Sequence, residues 1–129
     1  MKNWLDVVVD ATPVRSIFGD DAPLLEKVDL HEVTLHRDGP CLSLRFDLPT
    51  LPKELPVKWR TQGLNCIQLK LMLVGAGAVT LSGWGTQSVV SLDINQVGNQ
   101  LRLVSRDGPV ALDVTADSIV IEKISAYRI

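Results

Sequence analysis

Two histidines and an aspartate lie close together on a segment that alternates polar and apolar residues. Asp29, His31 and His36 carry side chains of the types that bind divalent metal ions such as zinc. If the segment forms a strand with one β-bulge, however, the two histidines lie about four pleat positions apart, which is roughly 13 Å at about 3.3 Å per residue. Because zinc ligands each lie about 2 Å from the ion, we predict no metal site here. We interpret Asp29, His31, Thr34 and His36 as residues of a solvent-facing surface.

Other residue types with chemical potential lack the motifs that would make them reactive. The candidate serines have no GxSxG elbow around them; they are Ser43, Ser82, Ser88, Ser91 and Ser105. The Gly75-Ala76-Gly77-Ala78 segment lacks the third glycine and the following helix of a dinucleotide-binding loop. Cys41 and Cys66 match no CxxC or zinc spacing, so we interpret them as reduced strand or core residues. We therefore predict no catalytic residues, no bound metal and no cofactor.

The elements that position these residues are predicted to be strands. From residue 28 onward apolar residues recur with period two, as in Leu42, Leu44 and Phe46, which is typical of half-buried strands. Turn signals, including Asp-Gly at 38–39 and at 107–108, separate the alternating runs. We predict about eight strands: 28–36, 41–48, 65–74, 78–84, 88–95, 100–106, 109–115 and 118–128.

The predicted fold is mainly β. Short connections indicate an antiparallel meander of about eight strands, forming a curved sheet, a sandwich or a partly open barrel. One short N-terminal helix is predicted, with Thr12 as its N-cap, Pro13 at its first position and Gly19 after its end. Three prolines between residues 49 and 56 indicate a loop or a sheet edge up to Val57.

The first predicted strand contains a phase switch. Val28 and Leu30 occupy even positions, whereas Val33 and Leu35 occupy odd positions. A β-bulge near residues 31–32 would return both pairs to the buried face.

Composition limits the class of protein. The 129 residues, with 13 Lys+Arg, 15 Asp+Glu and 46% hydrophobic residues, predict one soluble domain spanning 1–129. A net charge of −2 gives no basic footprint for a nucleic acid. Asp6 and Asp10 interrupt the N-terminal apolar stretch, so we predict no secretory signal, no membrane association and a cytoplasmic location.

Charge and aromatic residues suggest a binding surface. Residues 1–35 hold three basic and seven acidic side chains. They either decorate an ordinary soluble surface or dock a basic protein partner. The candidate partner-binding residues are Asp20, Asp21, Glu26, Asp29, Glu32 and Trp59. Trp59 lies between two cations after a proline loop, a composition found in binding hot spots. Trp84, between two glycines, is instead expected to fill the end of the core.

Nine short segments, spread over nearly the whole chain, form a recognisable series. They are SIFG (16–19), APLL (22–25), VDLHEVTL (28–35), RDG (37–39), LSLRF (42–46), PVKW (56–59), GLNCIQL (63–69), GW (83–84) and IEKISAY (121–127). Together these segments resemble the immunity protein 50 family. The resemblance implies a largely β-stranded bacterial protein, encoded beside a polymorphic toxin, that binds the toxin and blocks it. It implies no catalytic residues.

Several functions remain open at this point. If the toxin is a nuclease, its basic substrate groove would suit the acidic candidate residues. The main alternative is a small-ligand-binding β-barrel or carrier protein, because closed antiparallel sheets can enclose an apolar pocket. A structural module that forms a homodimer through a sheet face or edge is a third hypothesis. An enzymatic function is the weakest of the hypotheses.

Overall fold

The structure, a computed structural model, describes residues 3–129. A 3-10 turn (Trp4–Asp6) and helix α1 (Thr12–Phe18) precede the strands, and helix α2 (Val57–Thr61) lies between the second and third strands. The strands are β1 (Val28–His36), β2 (Cys41–Asp47), β3 (Cys66–Val74), β4 (Ala78–Ser82), β5 (Val89–Val97), β6 (Gln100–Arg106), β7 (Ala111–Ala116) and β8 (Ser118–Tyr127). Within residues 3–129, no helix is both long and apolar enough to cross a membrane.

The eight strands form one open antiparallel sheet, so the predicted mainly β fold is confirmed. Their order is β4-β7-β6-β5-β1-β2-β3-β8, which leaves β4 and β8 at the two edges. The pairing of β1 with β5, which joins the two halves of the sheet, spans only Val28 with Val90 and Asp29 with Val89.

The strand order departs from a simple meander at the connection between β3 and β4. Residues 75–77 join these strands, yet β3 pairs with β8 and β4 pairs with β7. Gly75 has a positive φ of 72°, which glycine adopts readily, and a Cβ there would meet the Asp117 side chain. This backbone path carries the chain to the other half of the sheet. The place beside β3 goes to β8, where Ile121 pairs with Leu71.

The inward residues of both halves of the sheet join one hydrophobic cluster. Leu44 and Phe46 on β2, Leu69 on β3, Leu103 on β6 and Val114 on β7 are all completely buried. Removing such a side chain from water stabilises the folded state by about 1.5–3 kcal/mol. The period-two pattern therefore predicts most of the core positions correctly.

The β-bulge predicted in β1 is confirmed, because the register with β2 shifts between Leu30 and Glu32. Val33 then packs against the core. The prediction that Leu35 is also buried is wrong, since 64% of this residue is exposed. Only β2 pairs with the end of β1 that carries Leu35, because the contact with β5 is limited to Val28 and Asp29.

Helix α1 begins and ends close to the predicted residues, but its cap differs. Ala11 occupies the N-cap position, and the Asp10 carboxylate, not the Thr12 side chain, accepts the Thr12 backbone N–H at 3.0 Å. Thr12 as N-cap is therefore wrong. The hydrogen bonds from Thr12 hold the pKa of Asp10 below its usual value. Gly19, with a φ of 64°, ends the helix as predicted.

Two further features differ from the sequence-based expectations. Helix α2 was not predicted; its five residues are too few to show a 3.6-residue period. Trp84 was expected in the core but is 47% exposed. The reason lies at Gly83, whose positive φ of 76° brings its backbone against the carbonyl of Pro109. The turn therefore contacts the rest of the protein through the Gly83 backbone, and the indole of Trp84 stays outside the core.

Candidate functional site

Three side chains from the β1–β2 hairpin converge on one point of the surface. The Nε2 atom of His31 lies 2.8 Å from Oδ2 of Asp47 and 3.6 Å from Oδ2 of Asp29. One ligand atom of each residue lies within 4.8 Å of the others. The β1 bulge and the pairing of Asp29 with Asp47 across the hairpin produce this arrangement. The three residue types are those of a metal-binding site. A hydrogen bond already joins His31 and Asp47.

Asp47 is the centre of the cluster. Only 9% of Asp47 is exposed. Its carboxylate accepts hydrogen bonds from three side chains. Gln68 on β3 donates to Oδ1 at 3.0 Å, and the hydroxyl of Tyr127 on β8 donates to Oδ2. Because an ionised carboxylate only accepts, Nε2 of His31 carries a proton and donates to Oδ2 as well. Asp47 therefore links four strands through side chains alone.

These contacts shift the ionisation of the groups involved. Burial disfavours the charged form of Asp47, but the hydrogen bonds from Tyr127, Gln68 and His31 outweigh it, so the pKa of Asp47 lies below its usual value. Burial and the bond to Asp47 raise the pKa of Tyr127. Burial also raises the pKa of the Cys66 thiol. At neutral pH Asp47 is therefore ionised, whereas the Tyr127 phenol and the Cys66 thiol keep their protons.

Three members of this cluster are not among the residues predicted from the sequence: Asp47, Gln68 and Tyr127. A signal for Asp47 was present. If β1 and β2 form a hairpin about the 37–40 turn with one bulge in β1, Asp47 falls opposite Asp29. No comparable signal existed for Tyr127, because the pairing of β3 with β8 cannot be read from local spacing.

The two histidines of β1 do not meet, as their separation along the strand predicts, because His36 is not part of the cluster. Asp47 of the neighbouring strand β2 lies beside His31 instead, and spacing along β1 alone does not reveal this contact.

The acidic candidate residues are exposed or half-exposed, but the structure does not gather them at one point. Asp20 and Asp21 follow α1, Glu26 precedes β1, and Asp29 and Glu32 lie on β1. Several of them face a cation. The pairs are Asp21 with Lys53 at 3.8 Å, Glu26 with Arg106 at 3.7 Å, and Glu32 with Arg45 at 3.6 Å. These pairs reduce the local excess of negative charge that composition suggests.

A surface groove lies beside α1. It has a volume of about 550 Å³ and is lined by residues 16–24, except Asp20, and by residues 50–54. Exposed apolar side chains contribute to it, with Leu24 at 66% and Leu51 at 43% exposure. Asp21 and Lys53, one from each wall, form the ion pair across it. Of the six candidate residues, the groove includes only Asp21.

Trp59 lies on α2 and does not line this groove. It is half-buried and packs against the hydrophobic cluster. The two cysteines are free thiols on β2 and β3, Cys41 half-buried and Cys66 buried, in agreement with their interpretation as strand residues.

The fold and this surface define a mainly β-stranded protein whose polar clusters lie on the outside of a filled core. Comparison with family models matches residues 10–127, nearly the entire chain, to Immunity protein 50. The chain belongs to the immunity protein 50 family, which confirms the resemblance found in its short segments. Comparisons with curated proteins and with solved structures found no match.

Proposed function

We propose that this protein binds a cognate bacterial polymorphic toxin and neutralises it by covering the active or substrate-binding surface of the toxin. The observation that carries the proposal is the family match over residues 10–127. In this proposal the whole chain, 1–129, acts as one domain in the cytoplasm of the toxin-producing cell. The inhibitor contributes no catalysis and no cofactor, because covering a surface requires only complementary shape and charge.

We assign the groove beside α1 to the toxin-binding surface. Leu24 and Leu51 offer exposed apolar area, and Asp20 and Asp21 add negative charge at its side. The Asp21–Lys53 pair is almost fully exposed, and ion pairs of this kind contribute little to stability. Asp21 can therefore exchange Lys53 for a cation of the toxin at small cost.

Glu26, Asp29 and Glu32 extend this acidic surface along the chain towards β1. Their role in the proposal is long-range attraction of a basic partner, such as the substrate groove of a nuclease, which raises the association rate. Trp59 contributes an aromatic contact from α2, where part of its indole remains accessible.

The test pairs this chain with the toxin domain encoded by the neighbouring gene. Co-expression should restore growth of cells producing the toxin, and the two proteins should co-purify. Leu24→Asp should weaken the complex at least tenfold. The matched control is Val97→Asp, which places the same charge on a 56% exposed position of β5 outside the groove. Absence of both complex and growth protection would exclude the function.

The ligand-carrier alternative is less well supported by the fold. A carrier of the predicted type needs a closed sheet around an apolar cavity. Here the sheet is open, with β4 and β8 at its edges. Homodimerisation through one of these edges is compatible with toxin binding, and sedimentation over a range of concentrations tests it.

A further inference from the structure

We propose that Asp29, His31 and Asp47 bind one zinc-class divalent ion at the open end of the β1–β2 hairpin. The site shares Asp29 with the acidic surface of the proposed function, but none of its three residues lines the groove beside α1, and zinc binding is measured without the toxin.

The geometry of the three side chains suits a tetrahedral ion. Two ligands that each lie about 2.0–2.1 Å from a tetrahedral zinc ion are about 3.3 Å apart. The two separations from His31 Nε2, 2.8 Å to Asp47 and 3.6 Å to Asp29, lie on either side of that value. A change of about 0.5 Å or less brings each of these two separations to the tetrahedral value, and the carboxylate oxygens of Asp29 and Asp47 lie within 4.8 Å of one another. Side-chain rotation supplies such a change without moving the strands.

The cluster also contains the supporting contacts that metal ligands usually have. Gln68 and Tyr127 both donate to the Asp47 carboxylate and fix its orientation from neighbouring strands. In the metal-free form a proton lies between His31 Nε2 and Asp47 Oδ2. When the ion binds, His31 takes the tautomer with its proton on Nδ1, which frees the Nε2 lone pair, and Nε2 and the Asp47 carboxylate oxygen then face the ion.

The mixture of ligands selects the class of ion. Calcium and magnesium prefer all-oxygen sites, and an imidazole ligand favours zinc and related transition metals. The side chains of Asp29 and His31 are 52% and 36% exposed, so a fourth coordination position faces solvent and takes a water molecule. Three protein ligands with an open position form an accessible site, not a closed structural one.

The experiment titrates the full chain, freed of metal by a chelator, with zinc chloride in isothermal calorimetry at neutral pH. We expect saturable binding of one ion per chain. Asp29→Asn should weaken it at least about tenfold, and His31→Gln should have the same effect. His36→Gln, which changes the other histidine of β1 outside the cluster, is the matched control and should leave the affinity unchanged.

Two further measurements keep the test decisive. Cys41→Ser should bind zinc as the parent does, and cobalt(II) should give a spectrum without thiolate charge-transfer bands. Asp29 is exposed, so Asp29→Asn should fold even if His31→Gln does not, as circular dichroism would verify. Absence of saturable binding, unchanged affinity in Asp29→Asn, or loss of binding in His36→Gln or Cys41→Ser would overturn the proposal.

Discussion

Tyr127, the last residue of β8, donates a hydrogen bond to Asp47, the last residue of β2, although 80 positions separate them in sequence. Strand β3 lies between β2 and β8 in the sheet, and its Gln68 donates to the same carboxylate. A single buried acid thus holds three adjacent strands and His31 of β1 in register through side chains. Stability and site geometry both depend on Asp47.

Replacing Asp47 with asparagine should destabilise the fold. The amide offers one oxygen where the carboxylate accepts bonds from three donors, so at least one part-buried donor loses its partner. Such a loss costs about 1–3 kcal/mol in free energy of unfolding. Urea denaturation at pH 7 measures it. The control Asp38→Asn, in the exposed turn after β1, should change stability by less than about 0.5 kcal/mol.

The contribution of Asp47 should depend on pH in a definite direction. Its pKa in the folded state is lowered, because its hydrogen bonds outweigh the effect of burial, whereas in the unfolded chain it is about 3.9. The stabilisation is therefore complete above about pH 4 and is lost as the pH falls through the lower, folded-state value. The stability difference between the parent and Asp47→Asn should shrink on acidification. A difference that stayed constant from pH 7 to pH 3 would contradict this assignment.

Substitution to alanine should lower the free energy of unfolding much more at a buried position of the alternating pattern than at an exposed one. Phe46 is completely buried, so Phe46→Ala should lower the free energy of unfolding by about 3–5 kcal/mol. Leu35 belongs to the same kind of pattern but is 64% exposed, so Leu35→Ala should cost less than about 0.5 kcal/mol. Equilibrium denaturation of both variants tests this; a large loss for Leu35→Ala would show that the end of β1 is covered.

The turn between β4 and β5 should require glycine at one of two positions. Gly83 has a φ of 76°, and an added Cβ would clash with the Pro109 carbonyl oxygen. Gly83→Ala should therefore destabilise the protein by at least about 1 kcal/mol. Gly85→Ala is the control, because nothing lies within 4 Å of a Cβ there. Thermal unfolding that ranked the two variants equally would argue against this backbone packing.

Charge reversal should reveal how the acidic surface contributes to toxin binding. Changing Asp20, Asp21 and Glu26 to lysine should slow association with the toxin at least tenfold at low salt and flatten its salt dependence. Stopped-flow mixing measures both. The control triple variant, with the same change of net charge away from the groove, alters Asp38, Asp113 and Glu122 to lysine.

If both triple variants slow association equally, net charge alone matters. If the variant at Asp20, Asp21 and Glu26 associates at the parent rate, the acidic surface is not part of the interface. Trp59→Phe, which keeps an aromatic ring against the core, tests the Trp59 contact through the dissociation rate of the same complex.

The local pattern of residue types was sufficient to predict much of the secondary structure. The bounds predicted for β1 and β6 agree with the observed strands, and the phase switch located the bulge between Leu30 and Glu32. These features follow from side chains that alternate between two faces of a strand, a property of neighbouring residues. The end of α1 at Gly19 was predictable for the same reason, since a positive φ is a local requirement.

By itself, then, the sequence determined the strands, the inward faces of most of them and the family to which the chain belongs. Tertiary structure decided which strands became neighbours, why Trp84 and Leu35 stay exposed, and how Asp29, His31, Asp47, Gln68 and Tyr127 meet. The physical reason is that alternation records only which face each residue occupies. The choice of neighbours depends on apolar burial and hydrogen bonding summed over segments far apart in the chain.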